Sequence, residues 1–255
     1  MLFIEGGQLA SMFAGNFIYN MHMPISSNTI ADPLAKVTAR IQQAAQAAGR
    51  NSESVRLIAV SKTHPAEAIA QAYACGQRDF GENYLQEALE KQSQLTHLPE
   101  LVWHFIGPIQ SNKTRAIAEN FVWTHSIDRE KIAHRLNAHR PADLAPLQVC
   151  LQVNIDDEST KAGVSLSELP ALAKAISQLP RLQLRGLMAI PAATNNPEQT
   201  RTAFATLREA MHGLNAQGYT MDTLSMGMSG DLEAAVAEGA TMVRVGTDIF
   251  GKRNQ

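Results

Sequence analysis

The chain has 255 residues, and its 22 Lys+Arg against 24 Asp+Glu leave a formal net charge of −2. That near-balance gives no basic field for nucleic acid and none for an anionic membrane. The two cysteines, Cys75 and Cys150, have no CxxC partner, which excludes a disulfide framework and a thiolate metal cluster; both read as buried thiols.

Residues 1–29 fit nothing downstream. Met1 to Pro24 contain no Lys or Arg for a signal-peptide start, and Gly6, Gly7, Gly15 and Asn16 break the apolar run too often for a membrane span. This segment is expected to be a poorly ordered extension or the product of a mis-assigned start, with Met21 and Met23 as alternative starts. The cytoplasm is the default location.

Asp32-Pro33 opens a helix as N-cap and first-turn proline, Leu34, Val37 and Ile41 follow at helical spacing, and Gly49 closes it. Val55-Arg-Leu-Ile-Ala-Val-Ser-Lys62 reads as a buried strand running into a lysine, and a helix over 65–75 stops at Gly76. Strands near 79–83, 101–106, 121–125, 146–154, 182–190, 223–226 and 242–245 then alternate with helices over 84–94, 111–119, 128–139, after the Ser165-Leu-Ser-Glu168 capping box, over 197–217 and over 229–238. Eight strands rich in Val, Leu and Ile alternating with seven helices predict an α/β fold, a (β/α)8 TIM barrel forming a single domain over 30–255. With no eighth helix after the last strand, the helix over 33–48 is expected to fill the gap in the outer ring.

In such a barrel the carboxyl ends of the strands share one face. Those ends carry Lys62, Asn83, His104, Met188, Ser225 and Arg244. A crowded, poorly hydrated lysine suits attack on a carbonyl, although a strand-end lysine also snorkels into water. Ser225-Met-Gly-Met-Ser229-Gly230 joins the seventh strand to a helix, with Ser229 read as its N-cap, and Gly246-Thr247 follows the eighth. Two glycine-bearing turns after strands seven and eight are a common barrel phosphate site. Lysine plus phosphate cradle admits a phosphorylated sugar, as in a Schiff-base aldolase, or pyridoxal 5′-phosphate (PLP). Arg244 projects toward the expected ring, where an arginine at a pyridine nitrogen weakens it as an electron sink; the other reading pairs Arg244 with a carboxylate such as Glu82. His104 and His125 read either as mouth residues or as satisfied core histidines. Lys161 is either solvated or a contact to a ligand anion, and Glu82 and Asp231 read as helix-start charges.

Ser61-Lys-Thr, Phe80-Gly-Glu-Asn-Tyr84, Trp103-His-Phe-Ile-Gly-Pro-Ile-Gln-Ser-Asn-Lys113, Gly186-Leu-Met-Ala-Ile-Pro191, Ser225-Met-Gly-Met-Ser229 and Val243-Arg-Val-Gly-Thr247 occur in that order. Together they resemble the PLP homeostasis proteins, the YggS/PROSC family, over about residues 30–255. The resemblance implies the barrel of bacterial alanine racemase with PLP held as an internal aldimine on Lys62. It implies Arg244 at the pyridine nitrogen, Ser229, Gly246 and Thr247 at the phosphate, Asn83 near the cofactor, and Ser225 and Gly230 within the same site. Asp248 puts a carboxylate close to that phosphate. The implied role is control of free PLP without an established reaction, with PLP, amino acids and PLP-dependent apo-enzymes as partners and a monomer as the working unit. The alternative is a small PLP-dependent enzyme such as an amino-acid racemase, for which only Tyr84 among the tyrosines lies near the mouth.

Overall fold

The computed structural model describes residues 30–156, 158 and 161–252. The expected N-terminal extension and part of the loop after the fifth strand lie outside the described residues. In chain order the elements are α1 (Ala31–Ala47), β1 (Arg56–Val60), α2 (Ala66–Ala74), β2 (Asp79–Glu82), α3 (Leu85–Gln94), β3 (Val102–Phe105), α4 (Thr114–Asn120), β4 (Trp123–Ile127), α5 (Glu130–His139), β5 (Leu147–Gln152), α6 (Leu169–Ser177), β6 (Leu182–Met188), α7 (Pro197–Asn215), β7 (Thr223–Ser225), α8 (Leu232–Ala237), β8 (Met242–Val245) and α9 (Thr247–Phe250).

The eight strands are parallel, pair in sequence order, and close where β8 pairs with β1, Ala59 standing opposite Val245. Parallel strands bury both faces, which is why they read as near-continuous apolar runs. Their outward residues, such as Phe80, Val149, Leu187 and Val243, pack with helix residues Ile69, Ile117, Leu136 and Leu207 into the main core. Inside the barrel a smaller cluster of Ile58, Trp123, Cys150, Met188 and Met242 fills the lumen. Met188 therefore packs rather than facing a ligand, and burial pushes the Cys150 thiol up to about 12. Cys75, expected buried, is exposed at the end of α2.

The helix α1 buries Leu34, Val37, Ile41 and Ala45, each large side chain on that face contributing about 1.5–3 kcal/mol. It packs against α8, α9 and α2, the place expected for it in the outer ring. It starts one residue before Asp32, with Ile30 at the N-cap position, so Asp32 lies in the first turn and caps nothing. An eighth helix does follow β8, against expectation. It is the single turn α9, in which the Ile249 and Phe250 amides both donate to Gly246 O. The Ser165–Glu168 capping box forms, the Ser165 amide donating to Glu168 Oε2 and the Glu168 amide to Ser165 Oγ at 3.3 Å each, but α6 is assigned only from Leu169.

Candidate functional site

Four strand ends and two turns converge on the carboxyl face. β1 ends at Val60, followed by buried Ser61 and half-buried Lys62. Half-buried Asn83 follows β2 on one side of it, Val60 standing opposite Gly81. On the other side lies the turn after β8. A Cβ placed on Gly246 would sit 2.9 Å from Val60 O, so this turn needs glycine to press against the strand that carries Lys62. Sheet closure thus sets the strand end that leads into Lys62 against a turn 184 positions away from that lysine in the chain by their residue numbers.

The turn after β7 is built on Gly227, whose φ of +93° suits glycine and where a Cβ would lie 2.5 Å from Ala235 Cβ. The Met228 amide donates to Asp231 Oδ1 at 2.6 Å, and Asp231 takes the N-cap position of α8. Ser229 therefore lies in the turn rather than capping the helix, a correction to its expected place. The amides of Ser229, Gly230 and Thr247 donate to no described residue, and nothing lies within 4 Å of a Cβ built on Gly230. The two turns thus carry amides with no described acceptor together with the hydroxyl-bearing residues Ser229 and Thr247, residue types that suit a phosphate.

Arg40 of α1, which sequence reading missed, ties these turns together. Its guanidinium donates to Ser229 O at 3.0 Å, Asp248 Oδ2 at 2.6 Å and Glu233 Oε1 at 2.9 Å. Pairing with Glu233 holds the arginine's pKa above and the carboxyl's below their ordinary values. The Asp248 carboxylate, expected close to the phosphate, is thus committed to a cation. Its one sequence signal was a basic residue on a helix, which ordinarily means a solvated face.

Arg244 is buried, and desolvation pulls its guanidinium down to about 10, so it stays charged at neutral pH. It does not pair with Glu82. It donates to Ser225 Oγ at 2.7 Å and Ala189 O at 3.0 Å. Ser225 contacts His125 Nδ1 at 2.7 Å, His125 Nε2 contacts His104 Nδ1 at 3.0 Å, and His104 Nε2 contacts Asp79 Oδ1 at 2.9 Å. The Ser225 hydroxyl, expected at the cofactor, is bonded on one side to Arg244 and on the other to His125. His104, too, points toward Asp79 at the amino end of β2 and away from the mouth; both histidines are satisfied core residues. Burial lowers both imidazole pKa values, His125 further through His104 and Arg244.

Glu82 is no helix-start charge. It is fully buried, bonded to Ser61 Oγ and to the ammonium of Lys91 on α3, at 2.7 Å each. Lys161 pairs with Asp156 at 2.6 Å and Glu158 at 3.4 Å. Asp231, a helix-start residue as expected, needs no correction. Tyr84 is 53% exposed just after β2. Among the described residues no group of His, Cys, Asp and Glu is arranged to hold a metal, and no helix is long and apolar enough to cross a membrane.

The family model described as "Alanine racemase, N-terminal domain" matches residues 33–254. A pyridoxal phosphate homeostasis protein of Pseudomonas aeruginosa is 62% identical over 227 residues, covering 89% of this chain and 97% of that protein. One of Escherichia coli is 52% identical over 232 residues, covering 89% and 98%. The structure of PipY from Synechococcus elongatus, solved with PLP bound, superposes with a TM-score of 0.77 at 43% identity, covering 87% of this chain and all of that one. The chain belongs to the alanine racemase N-terminal domain family and, within it, to the pyridoxal phosphate homeostasis proteins.

Proposed function

We propose that this protein binds PLP at the carboxyl face of the barrel and buffers or delivers it, so serving intracellular vitamin B6 homeostasis and, through it, amino-acid metabolism. The observation that carries the reading is the close approach of the Gly246 turn to Val60, two residues before Lys62, across the β1–β8 seam. When bound, PLP supplies an aldehyde that condenses reversibly with a primary amine. In this reading Lys62 is that amine. The amides and hydroxyls of Ser229, Gly230, Gly246 and Thr247 hold the phosphate, and Arg40 keeps the two turns in register. Arg244 faces the ring nitrogen as a fixed cation and disfavours its protonation, which suits holding the group more than carbanion chemistry. Asn83 flanks Lys62, and Ser225 anchors Arg244.

The working unit in this reading is a monomer. The same reading puts the protein in the cytoplasm, exchanging PLP with free amino acids or PLP-dependent apo-enzymes. The test is the absorbance of purified protein before and after borohydride. A visible lysine-linked band that borohydride bleaches, and that Lys62→Ala lacks, is the expected result. A band that persists in Lys62→Ala overturns the assignment. Exchange of α-hydrogens of amino acids above the rate of free PLP overturns the carrier reading in favour of a racemase-like enzyme.

A further inference from the structure

A buried charged cluster lies against the loop that carries Lys62, and the proposed ligand contacts make no use of it. Lys91 is only 4% exposed, and its ammonium spends three donors on Ser61 O at 2.7 Å, Glu82 Oε1 at 2.7 Å and Glu87 Oε1 at 2.6 Å. Ser61 Oγ donates to the same Glu82 oxygen at 2.7 Å, and the Thr63 amide donates to the same Glu87 oxygen at 2.6 Å. The residues on either side of Lys62 are therefore both tied to one ammonium and two carboxylates drawn from β2 and α3.

Two costs accompany this arrangement. Burying an ion pair is expensive, and an apolar replacement of similar volume generally serves packing as well. Here Glu82 Oε2 is buried without a hydrogen-bond partner among the described residues, and desolvation raises the carboxyl's pKa despite Lys91. The second cost is backbone strain. Thr63 has φ +66°, alone among the described non-glycine residues in the left-handed region, and its branched side chain makes that conformation unfavourable. The Glu87 bond to its amide opposes relaxation, which would swing the Lys62–Thr63 peptide and redirect the lysine stem.

We propose that Lys91, with Glu82 and Glu87, is a positioning device that holds the Ser61–Thr63 backbone so that Lys62 meets the carbonyl of its ligand in attacking geometry. The inference rests on the proposed reading that Lys62 bonds PLP. Lys91 acts through Lys62 and touches no ligand itself. Covalent capture joins the neutral lysine nitrogen to the carbonyl carbon and releases the carbonyl oxygen as water with the two amine protons. It needs nitrogen and carbon aligned at about 3–3.5 Å, whereas phosphate and ring binding do not. The cluster therefore governs the rate of capture and leaves non-covalent affinity alone.

The test uses the full chain freed of PLP. Appearance of the lysine-linked band after mixing with PLP gives the capture rate. Binding of pyridoxine 5′-phosphate, which has the ring and phosphate but an alcohol for the aldehyde, gives the non-covalent affinity. Lys91→Met and Glu87→Ala should each slow capture by about tenfold or more with pyridoxine 5′-phosphate affinity unchanged. Thr63→Gly, which adopts φ +66° without strain, should recover the rate in the Glu87→Ala background. Glu87 is partly exposed, so Glu87→Ala decides the matter if Lys91→Met does not fold. Unslowed capture, an equal loss of pyridoxine 5′-phosphate affinity, or no recovery by glycine each overturns the proposal. Failure of the parent reading is distinguishable, because Lys62→Ala then still forms the band or the unsubstituted protein never does.

Discussion

The Arg244 guanidinium donates to Ser225 Oγ at 2.7 Å, and this contact orients every proton below it. Arginine only donates and an ionised carboxylate only accepts. With Asp79 accepting from His104 Nε2–H, a neutral His104 accepts at Nδ1 from His125 Nε2–H, and His125 accepts at Nδ1 from the Ser225 hydroxyl. All four bonds run one way, from the cation near the mouth to the carboxylate at the floor. Such a chain has no spare member. Ser225→Ala strands His125 Nδ1 in a dry interior and removes an anchor of Arg244. The variant should lose about 1–3 kcal/mol in urea unfolding and shift the spectrum of lysine-linked PLP. Unchanged stability and spectrum would show that the relay does not hold the arginine.

The same chain predicts an acid sensitivity. Unfolded, each imidazole takes a proton near pH 6.5; folded, burial holds His104 and His125 below that value. Below about pH 6.5 the unfolded state therefore binds more protons, and stability falls with pH by up to roughly 1.4 kcal/mol per unit for each imidazole. Above that pH their neutral forms cost nothing. Urea midpoints measured from neutral pH downward should decline before the carboxylates begin to titrate, and a His104→Asn, His125→Asn double variant should show a flatter slope. An identical slope in the double variant contradicts the neutral pair.

Arg40 separates affinity from stability. Its side chain is about one-third exposed, as is that of Asp248, and pairs in such settings contribute about 0–1 kcal/mol. Arg40→Met should therefore move the thermal midpoint little. It also frees the Asp248 carboxylate and unties the turns after β7 and β8, so binding of pyridoxine 5′-phosphate should weaken by about tenfold, with the loss largest at low salt. Equal affinity in the variant and the parent removes Arg40 from the site.

What the sequence makes legible follows from where each signal is stored. Strand order and barrel closure are written locally, as apolar runs between helical periods, and strand ends then place Lys62, Arg244 and the two glycine turns on one face. Arg40 is invisible because its partners lie 189 or more positions away. Lys91 carries no local signal of its place: a lysine four residues after a glutamate is ordinarily a solvated helix pair, yet α3 turns this one inward beneath Ser61. Ser229 reads as the N-cap of α8, and only the Met228 amide bond to Asp231 shows that the cap stands two residues further on. The single turn α9 is too short for any periodicity to announce.

Gly230 and Gly246 make a contrasting pair of probes for the turns after β7 and β8. An added Cβ at Gly246 meets Val60 O at 2.9 Å and Val60 Cβ at 3.3 Å. Because the oxygen belongs to a strand, it cannot rotate away, and the turn itself must shift. Gly246→Ala should cost about 1–3 kcal/mol and weaken ligand binding through that displacement. At Gly230 the added Cβ meets nothing within 4 Å, and no left-handed φ forbids alanine. Gly230→Ala should therefore leave the thermal midpoint of the ligand-free protein in place. If the open space beside it is where a phosphate sits, the methyl group intrudes there and the affinity for pyridoxine 5′-phosphate falls while the fold is untouched. Full affinity in Gly230→Ala would move the phosphate away from this turn, leaving Gly246 and Thr247 to hold it.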